Sequence, residues 1–253
     1  MSSFLVSFVA FTCIFGGSLL GLFIQSRLPR HHLSSESKDA VKLGAGLIAT
    51  MAALVLGLMV GSSKNSFDAM NTEITRGGAK IILLDRTLAQ YGPETRQARE
   101  NLRNAIAFAI YSIWGSKAVS DEKLHHLEGS TGMEQVGELI RGLAPKSSSQ
   151  QSLKEQALQI HSDILAARWL LIEEEQESLP TVFLIVLVFW LTMLNVTYGL
   201  FAPPNKTVIA VLLVCAISVS CSVFLILEMS HPLQGFIRVS GAPMEKALES
   251  LGR

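Results

Sequence analysis

Four apolar stretches, each long enough to cross a bilayer, flank one long polar block in this chain. They cover residues 4–24, 43–60, 179–201 and 207–227, and none of them contains Asp, Glu, Lys or Arg. A helix of about 20 apolar residues spans the hydrocarbon layer of a membrane. A helix on the surface of a soluble protein keeps charged residues on its solvated face, and these stretches have none. The pattern therefore predicts four transmembrane helices.

The polar block between the second and third stretches has a helical pattern throughout. Its first helix is predicted to continue out of the second span and to end at Tyr91-Gly92-Pro93, because proline supplies no amide hydrogen and glycine tolerates the turn that closes a helix. A second helix is expected over residues 94–114. Capping-box spacing predicts two further helix starts, at Thr131 with Glu134 and at Ser152 with Glu155. No strand-like alternation is present, so the predicted fold class is all-α.

These elements predict a multi-pass membrane protein with an extramembrane helical bundle inserted between spans two and three. Residues 1–62 would form transmembrane helices 1 and 2 with a short loop, and residues 63–178 the bundle. Residues 179–228 would form transmembrane helices 3 and 4, and residues 229–253 an amphipathic tail. The long helix of the bundle has an apolar seam that can pack against the helix over 94–114; the seam contains Leu153, Ile160 and Ile164.

Composition narrows the partners and the location. The chain has 253 residues, 49% of them hydrophobic and 17% charged, with 21 basic and 21 acidic residues, so strong attraction to nucleic acid is not expected. The lipid bilayer is the expected partner, and the cell (inner) membrane the expected location. Basic residues near span ends lie on both sides of the predicted spans, at Arg27, Arg30, Lys38 and Lys42 on one side and at Lys64, Arg76, Lys80, Arg168, Arg238 and Lys246 on the other. The positive-inside rule therefore leaves the orientation open.

Motifs for catalysis, cofactors and metals are missing from the sequence. It contains no Gly-x-Ser-x-Gly, no His-Glu-x-x-His, no phosphate-binding Gly-x-x-x-x-Gly-Lys and no cysteine pair at zinc spacing. Glu122 and His125 form a single Glu-x-x-His, whereas a di-iron site in a helical bundle needs two such motifs and two more glutamates. We expect neither an enzyme nor a protein with a cofactor.

Small residues recur every four positions on the second span, at Ala45, Ala49, Ala53, Gly57 and Gly61. In lipid, such residues let two helix backbones approach closely. Two interpretations remain open: tight packing between helices of one subunit, or a helix arranged around a symmetry axis that lines a pathway. The candidate residues for either role are Thr50, Ala53, Gly57 and Gly61.

Other spans carry weaker signals of helix packing. The first has Cys13, Gly17 and Gly21 at steps of four, and the third has polar Thr192, Asn195 and Tyr198 at steps of three. An unpaired polar group in hydrocarbon costs several kcal/mol, so interhelical hydrogen bonds are the main expectation for the polar residues and an ion pathway is the other.

The segment after the fourth span reads LEMSHPLQGFIRVS over residues 227–240. Together with Gly57-Leu58, Gly61, Asp68, Glu73, Asp85-Arg86 and Tyr91-Gly92-Pro93, it resembles the bestrophin-like domain-of-unknown-function family of bacterial membrane proteins, over nearly the whole chain. The family pattern has Asp at or beside Ser230 and an aromatic residue at Leu233, where this chain departs from it.

The resemblance implies a remote similarity to bestrophins, which are pentameric anion channels whose second membrane helix lines the pore and whose helical domain lies in the cytosol. By that similarity, Thr50, Ala53, Gly57 and Gly61 would face a central axis. The implied partners are further copies of the chain in a homo-oligomer, and a small anion.

The tail also has an interpretation from its own residues. Glu228 ends the last span, Pro232 and Gly235 set a turn, and apolar Phe236 and Ile237 could lie in the membrane interface. This structural anchoring is one expectation. The other is a ligand or ion contact through Glu228 or His231.

The function expected from these observations is an oligomeric, bestrophin-like ion (anion) channel. The alternative is a non-conducting membrane scaffold or sensor whose helical bundle binds a partner protein. That alternative would leave the apolar seam of the bundle partly exposed.

Overall fold

The computed structural model describes residues 3–27, 35–115, 129–176, 181–233 and 235–252, and within these ranges it contains helices and no strand. The α-helices are α1 (Ser3–Arg27), α2 (Ser35–Tyr91), α3 (Arg96–Trp114), α4 (Gly129–Arg141), α5 (Ser148–Gln176), α6 (Thr181–Phe201), α7 (Lys206–Met229) and α8 (Ala242–Ser250). A short 3-10 helix, Pro93–Thr95, precedes α3. The predicted all-α class is confirmed.

Four of the helices in the described ranges, α1, α2, α6 and α7, are long and apolar enough to cross a membrane. They coincide with the four predicted stretches. Helix α2 is much longer than a span: it runs for 57 residues without a break, as the helical pattern beyond the second stretch predicts. It ends at Tyr91, and Gly92 follows with a φ of 140°, a conformation that favours glycine.

Two predicted helix starts differ from the structure. Helix α5 begins at Ser148, one turn before Ser152, because Ser147 provides the cap: its Oγ accepts the amide hydrogen of Gln150 at 3.2 Å. The capping box predicted at Ser152 was therefore wrong. Helix α4 begins at Gly129, two residues before Thr131.

The chain forms two compact units. The first contains Met1–Phe67 and Ser178–Ile237, and the second contains Asp68–Glu177 and Arg238–Arg253. Helix α2 belongs to both units, and so does the segment that follows α7.

In the first unit, α1 packs against α6 and α7. The backbones of α1 and α6 approach closely where Gly21 meets Gly199, because a Cβ at Gly21 would lie 3.0 Å from the Gly199 Cα and would collide with the carbonyl oxygen of Val196. Beside it, the buried Ser18 donates a hydrogen bond from its Oγ to Asn195 Oδ1 at 3.1 Å. Glycines allow the backbones to approach, and the polar pair then joins the two helices.

An apolar core lies in the described part of the second unit. It is built from α2, α3, α4, α5 and α8, with fully buried side chains that include Leu84, Leu88, Leu102, Ile110, Val136, Ile140 and Ala247. The seam of α5 lies in this core, with Ile160 only 8% exposed and Ile164 packed at its edge. Helix α4 joins α5 through His161, whose Nε2 lies 2.8 Å from the carbonyl oxygen of Met133.

Candidate functional site

The four candidate residues of α2 share one face of the helix. At 3.6 residues per turn, Thr50, Ala53, Gly57 and Gly61 fall within about 80° of one another. All four are exposed, and a Cβ added at Gly57 or Gly61 would meet no atom within 4 Å. The Thr50 Oγ1 donates to the carbonyl oxygen of Leu47 at 2.8 Å, within its own helix. This face contacts nothing else in the described part of the chain, so it is open to lipid, to another subunit or to a pathway.

The opposite side of α2 makes the contacts within the subunit. Ala52, Met59 and Ser63 are buried there, and Ala52 and Met59 pack with Leu187 of α6 and Ile226 of α7. Ser63 Oγ lies 3.1 Å from Oγ of Ser230, the residue that follows α7. Packing inside the subunit therefore uses a different face of α2 from the one that the small residues occupy.

The candidate residues after α7 form a folded turn around Glu228. Its side chain is 4% exposed, and Oε2 accepts amide hydrogens from Phe236 at 2.6 Å and from Ile237 at 3.4 Å. Gly235 lies against this carboxylate with a φ of 91°, in the region that favours glycine. The turn closes because a carboxylate, two amides and a glycine meet at one point.

The position of Glu228 explains why the turn is needed. A carboxylate in the last turn of a helix is repelled by the negative end of the helix dipole, and its burial removes it from water. Hydrogen bonds from two backbone amides to the charged group offset both costs, since such charge-assisted bonds are stronger than neutral ones.

The remaining two candidates of the turn, His231 and Pro232, make no hydrogen bond to the Glu228 carboxylate within the described part of the chain. Pro232 is buried and His231 is partly exposed. The amide of His231 donates to the carbonyl oxygen of Glu228 at 3.3 Å, which continues the chain tightly out of α7. The described residues contain no cluster of His, Cys, Asp and Glu that could hold a metal ion. Glu122 and His125 lie outside the described residues.

The polar residues of the third span divide by role. Asn195 makes the predicted interhelical hydrogen bond, to Ser18, and its Nδ2 also donates to the carbonyl oxygen of Leu191 at 2.8 Å. Thr192 donates within its own helix, to the carbonyl oxygen of Val188 at 2.7 Å. Tyr198 is half exposed.

One charged pair was not predicted from the sequence. Asp85 of α2 is 1% exposed and is paired with Arg99 of α3. The hydrogen bond to Asp85 raises the pKa of Arg99 above its ordinary value. Burial lowers this pKa and the negative charge of Asp85 raises it further, so the net shift is upward. The two residues are 14 positions apart and lie on opposite sides of a turn. No local sequence pattern indicates that residues at this separation form a pair.

Comparison with known proteins supports the fold and the family. A family model described as the bestrophin-like domain matches residues 12–244. No curated protein matches the chain by sequence.

Solved structures with the same fold come from bacterial bestrophin homologues. A bestrophin homologue from Klebsiella pneumoniae, solved by Zn-SAD phasing, matches with a TM-score of 0.67 and 12% identity, over 96% of each chain. A point mutant of the Klebsiella pneumoniae homologue matches with a TM-score of 0.66 and 12% identity, over 97% of this chain and 98% of that one. At this identity the structural likeness shows the fold alone.

Proposed function

The chain belongs to the bestrophin-like family of membrane proteins, and from that premise we propose that it is the subunit of an oligomeric ion channel, with a small anion as the permeating species. It would cross the bacterial inner membrane four times, through α1, α2, α6 and α7. The second unit, apart from the C-terminal segment, would be the extramembrane bundle inserted between spans two and three.

The observation that carries the proposal is the free face of α2. A membrane helix normally places its small residues where a neighbour approaches closely, as Gly21 and Gly199 do in this subunit. Gly57 and Gly61 have no such neighbour in the described chain. In a cyclic homo-oligomer, the neighbour would be a second copy, and the helices would surround an axis normal to the membrane.

The chemistry of this face suits passive permeation. Residues 43–60 carry no charged side chain, and their exposed side chains are small or apolar apart from one hydroxyl, at Thr50. Apolar constrictions of this kind can gate ions without a titratable group. We propose an anion because of the family, since residues 43–60 have no charged side chain that would favour anions or cations.

The alternative, a non-conducting scaffold or sensor, predicts a partly exposed apolar seam on the bundle. The exposure of this seam is mixed: Ile160 lies in the core, whereas Leu153 and Ile164 are only partly buried. Because the residue at the centre of the seam is not available to a partner, we propose the channel in preference to the scaffold.

The test is ion flux through purified full-length protein in liposomes. We expect chloride flux in the unmodified protein and a severalfold change in Gly57→Leu, because the leucine would project from the free face of α2. Gly16→Leu is the matched control, since Gly16 of α1 is also exposed and has no atom within 4 Å of an added Cβ. Absence of flux under every ionic condition would contradict the channel, and flux that Gly57→Leu leaves unchanged would contradict the assignment of the α2 face.

Symmetry can be tested separately from conduction. Single-particle imaging of the detergent-solubilised protein should show a ring of subunits with α2 nearest the axis. A monomer, or a ring with another helix nearest the axis, would contradict the proposal.

A further inference from the structure

Phe236 has the most exposed large apolar side chain among the described residues, at 88%. It follows the last span closely, in the turn that comes after Met229. Transfer of apolar surface out of water is favourable and scales with the area transferred, and an aromatic ring has a large area. Because the chain itself covers so little of the Phe236 ring, the ring is strongly favoured to enter another apolar environment.

The position of the ring along α7 indicates which environment that is. The Phe236 ring centroid lies 6.4 Å from that of Phe224, with the ring planes inclined at 54°. Phe224 precedes the end of α7 at Met229 by about 7.5 Å along the helix axis, at 1.5 Å per residue. The turn after α7 therefore doubles back, and Phe236 lies beside the end of the span instead of beyond it.

The turn also meets part of the condition for a non-helical segment near the hydrocarbon. Lipid cannot supply hydrogen-bond partners, so irregular backbone is tolerated near the hydrocarbon only where the protein pairs its polar groups. Glu228 accepts the amide hydrogens of Phe236 and Ile237. The two amides nearest the exposed ring are thus already paired, by a carboxylate that is itself buried.

We propose that the turn formed by residues 231–233 and 235–237 is a membrane anchor, in which Glu228 holds the backbone and Phe236 inserts its ring into lipid at the boundary of the hydrocarbon layer. The partner is the lipid itself. Aromatic side chains are common where apolar surface meets the headgroup region, and one at the end of the last span would fix the depth of α7. The anchor does not depend on whether the protein conducts ions.

The experiment measures the depth of position 236 in the full-length protein in lipid nanodiscs. A nitroxide is attached to Phe236→Cys in a background where Cys13, Cys215 and Cys221, all exposed, are replaced by alanine. Accessibility of the label to oxygen, which concentrates in lipid, is compared with accessibility to a water-soluble nickel chelate. Leu225→Cys on α7 gives the lipid reference, because Leu225 is 48% exposed, and Gln97→Cys on α3 gives the water reference.

We expect the oxygen-to-nickel ratio at position 236 to be within about twofold of the Leu225 position and several times that of the Gln97 position, as insertion at the hydrocarbon boundary requires. A ratio equal to that of Gln97 would overturn the proposal. Low accessibility to both agents with spin–spin broadening would mean that a second copy of the chain covers the ring, and would overturn it as well.

The role of Glu228 has its own readout. Glu228→Gln retains the shape of the side chain but replaces the charged acceptor, so we expect a narrower, more mobile spectrum at position 236 and a shift of its accessibility towards water. Glu245→Gln on α8 is the control and should leave the label unchanged. If Glu228→Gln, like the control, leaves the spectrum and the depth of the label at position 236 unchanged, Glu228 does not hold the turn.

Discussion

Arg99 binds Asp85 with two hydrogen bonds, from Nε to Oδ1 at 2.7 Å and from Nη2 to Oδ2 at 2.9 Å. The carboxylate is 1% exposed, whereas the guanidinium side chain is 23% exposed. The amide of Gly252 lies 3.4 Å from the same Oδ2, so the end of the chain meets the pair too. One buried carboxylate thus joins α2, α3 and the C-terminal residues of the second unit.

Removal of the arginine should destabilise the second unit. Arg99→Met leaves Asp85 buried without its counter-charge, and an uncompensated buried charge costs roughly 3 kcal/mol or more. We expect a clear fall in the melting temperature of the detergent-solubilised protein. Arg96→Met is the matched control, because Arg96 pairs with Glu100 on the surface, where the side chains are 86% and 62% exposed, and such pairs contribute little. Equal melting temperatures for the two variants would contradict a structural role for the buried pair.

The arginine side of this pair should not produce pH dependence near neutrality. Because Asp85 raises the pKa of Arg99, the folded state holds that proton more tightly than the unfolded state. The resulting stabilisation is fully present below the unfolded-state pKa and is lost only as the pH rises through the folded-state pKa, both of which lie in strong base. We therefore expect the difference in melting temperature between the unmodified protein and Arg99→Met to be at least as large at about pH 9 as at about pH 7. A difference that shrinks over this interval would contradict the assignment.

The sequence predicted the spans and the helix ends because both depend on local chemistry. A hydrocarbon layer fixes the length and the apolar character of a span, so the pattern in residues 207–227 alone identifies α7. The end of α2 depends on Gly92 and Pro93, which act on their own backbone. The start of α5 was missed by one turn because Ser147 and Ser152 are equally good caps and only the backbone geometry selects one of them.

The contacts between distant elements could not be predicted in the same way. Gly17 and Gly21 of α1 look much like Gly57 and Gly61 of α2 in the sequence, yet only the first pair meets a neighbour within the described chain. A small-residue pattern shows that a helix can be approached, but not which helix approaches it. The closure of the turn around Glu228 likewise depends on the positive φ of Gly235, and only the structure shows that angle.

The Gly21 contact should be sensitive to a single methyl group. An alanine at Gly21 would place its Cβ against the backbone of α6, which cannot move aside as a flexible side chain could, so we expect a loss of about 1–3 kcal/mol. Gly16→Ala on the same helix is the control, because a Cβ there meets nothing within 4 Å and alanine favours a helix. Thermal unfolding in detergent measures both. A Gly21→Ala variant as stable as Gly16→Ala would show that α1 and α6 are further apart.

Chemical modification should distinguish the two sides of α2. In the background without native cysteines, Gly57→Cys should react with a membrane-permeant thiol reagent, and the reaction should reduce ion flux if the α2 face lines the pathway. Ala52→Cys is the control on the packed side, where Ala52 is 2% exposed, and it should react slowly. Fast reaction at both positions would show that α2 does not pack against α6 and α7 as described. Modification at position 57 without loss of flux would contradict the assignment of this face to the pathway.

Substitution of Gly235 should open the turn around Glu228 more than backbone strain alone can explain. Alanine at a φ of 91° is strained by about 1–2 kcal/mol, and here its Cβ would also collide with the Glu228 carboxylate. Gly115→Ala separates the two effects, because Gly115 has a φ of 64° but no atom within 4 Å of an added Cβ. Hydrogen–deuterium exchange measures the result: the amides of Phe236 and Ile237 should lose protection in Gly235→Ala and keep it in Gly115→Ala. Retained protection in Gly235→Ala would mean that the hydrogen bonds to Glu228 form without the left-handed glycine.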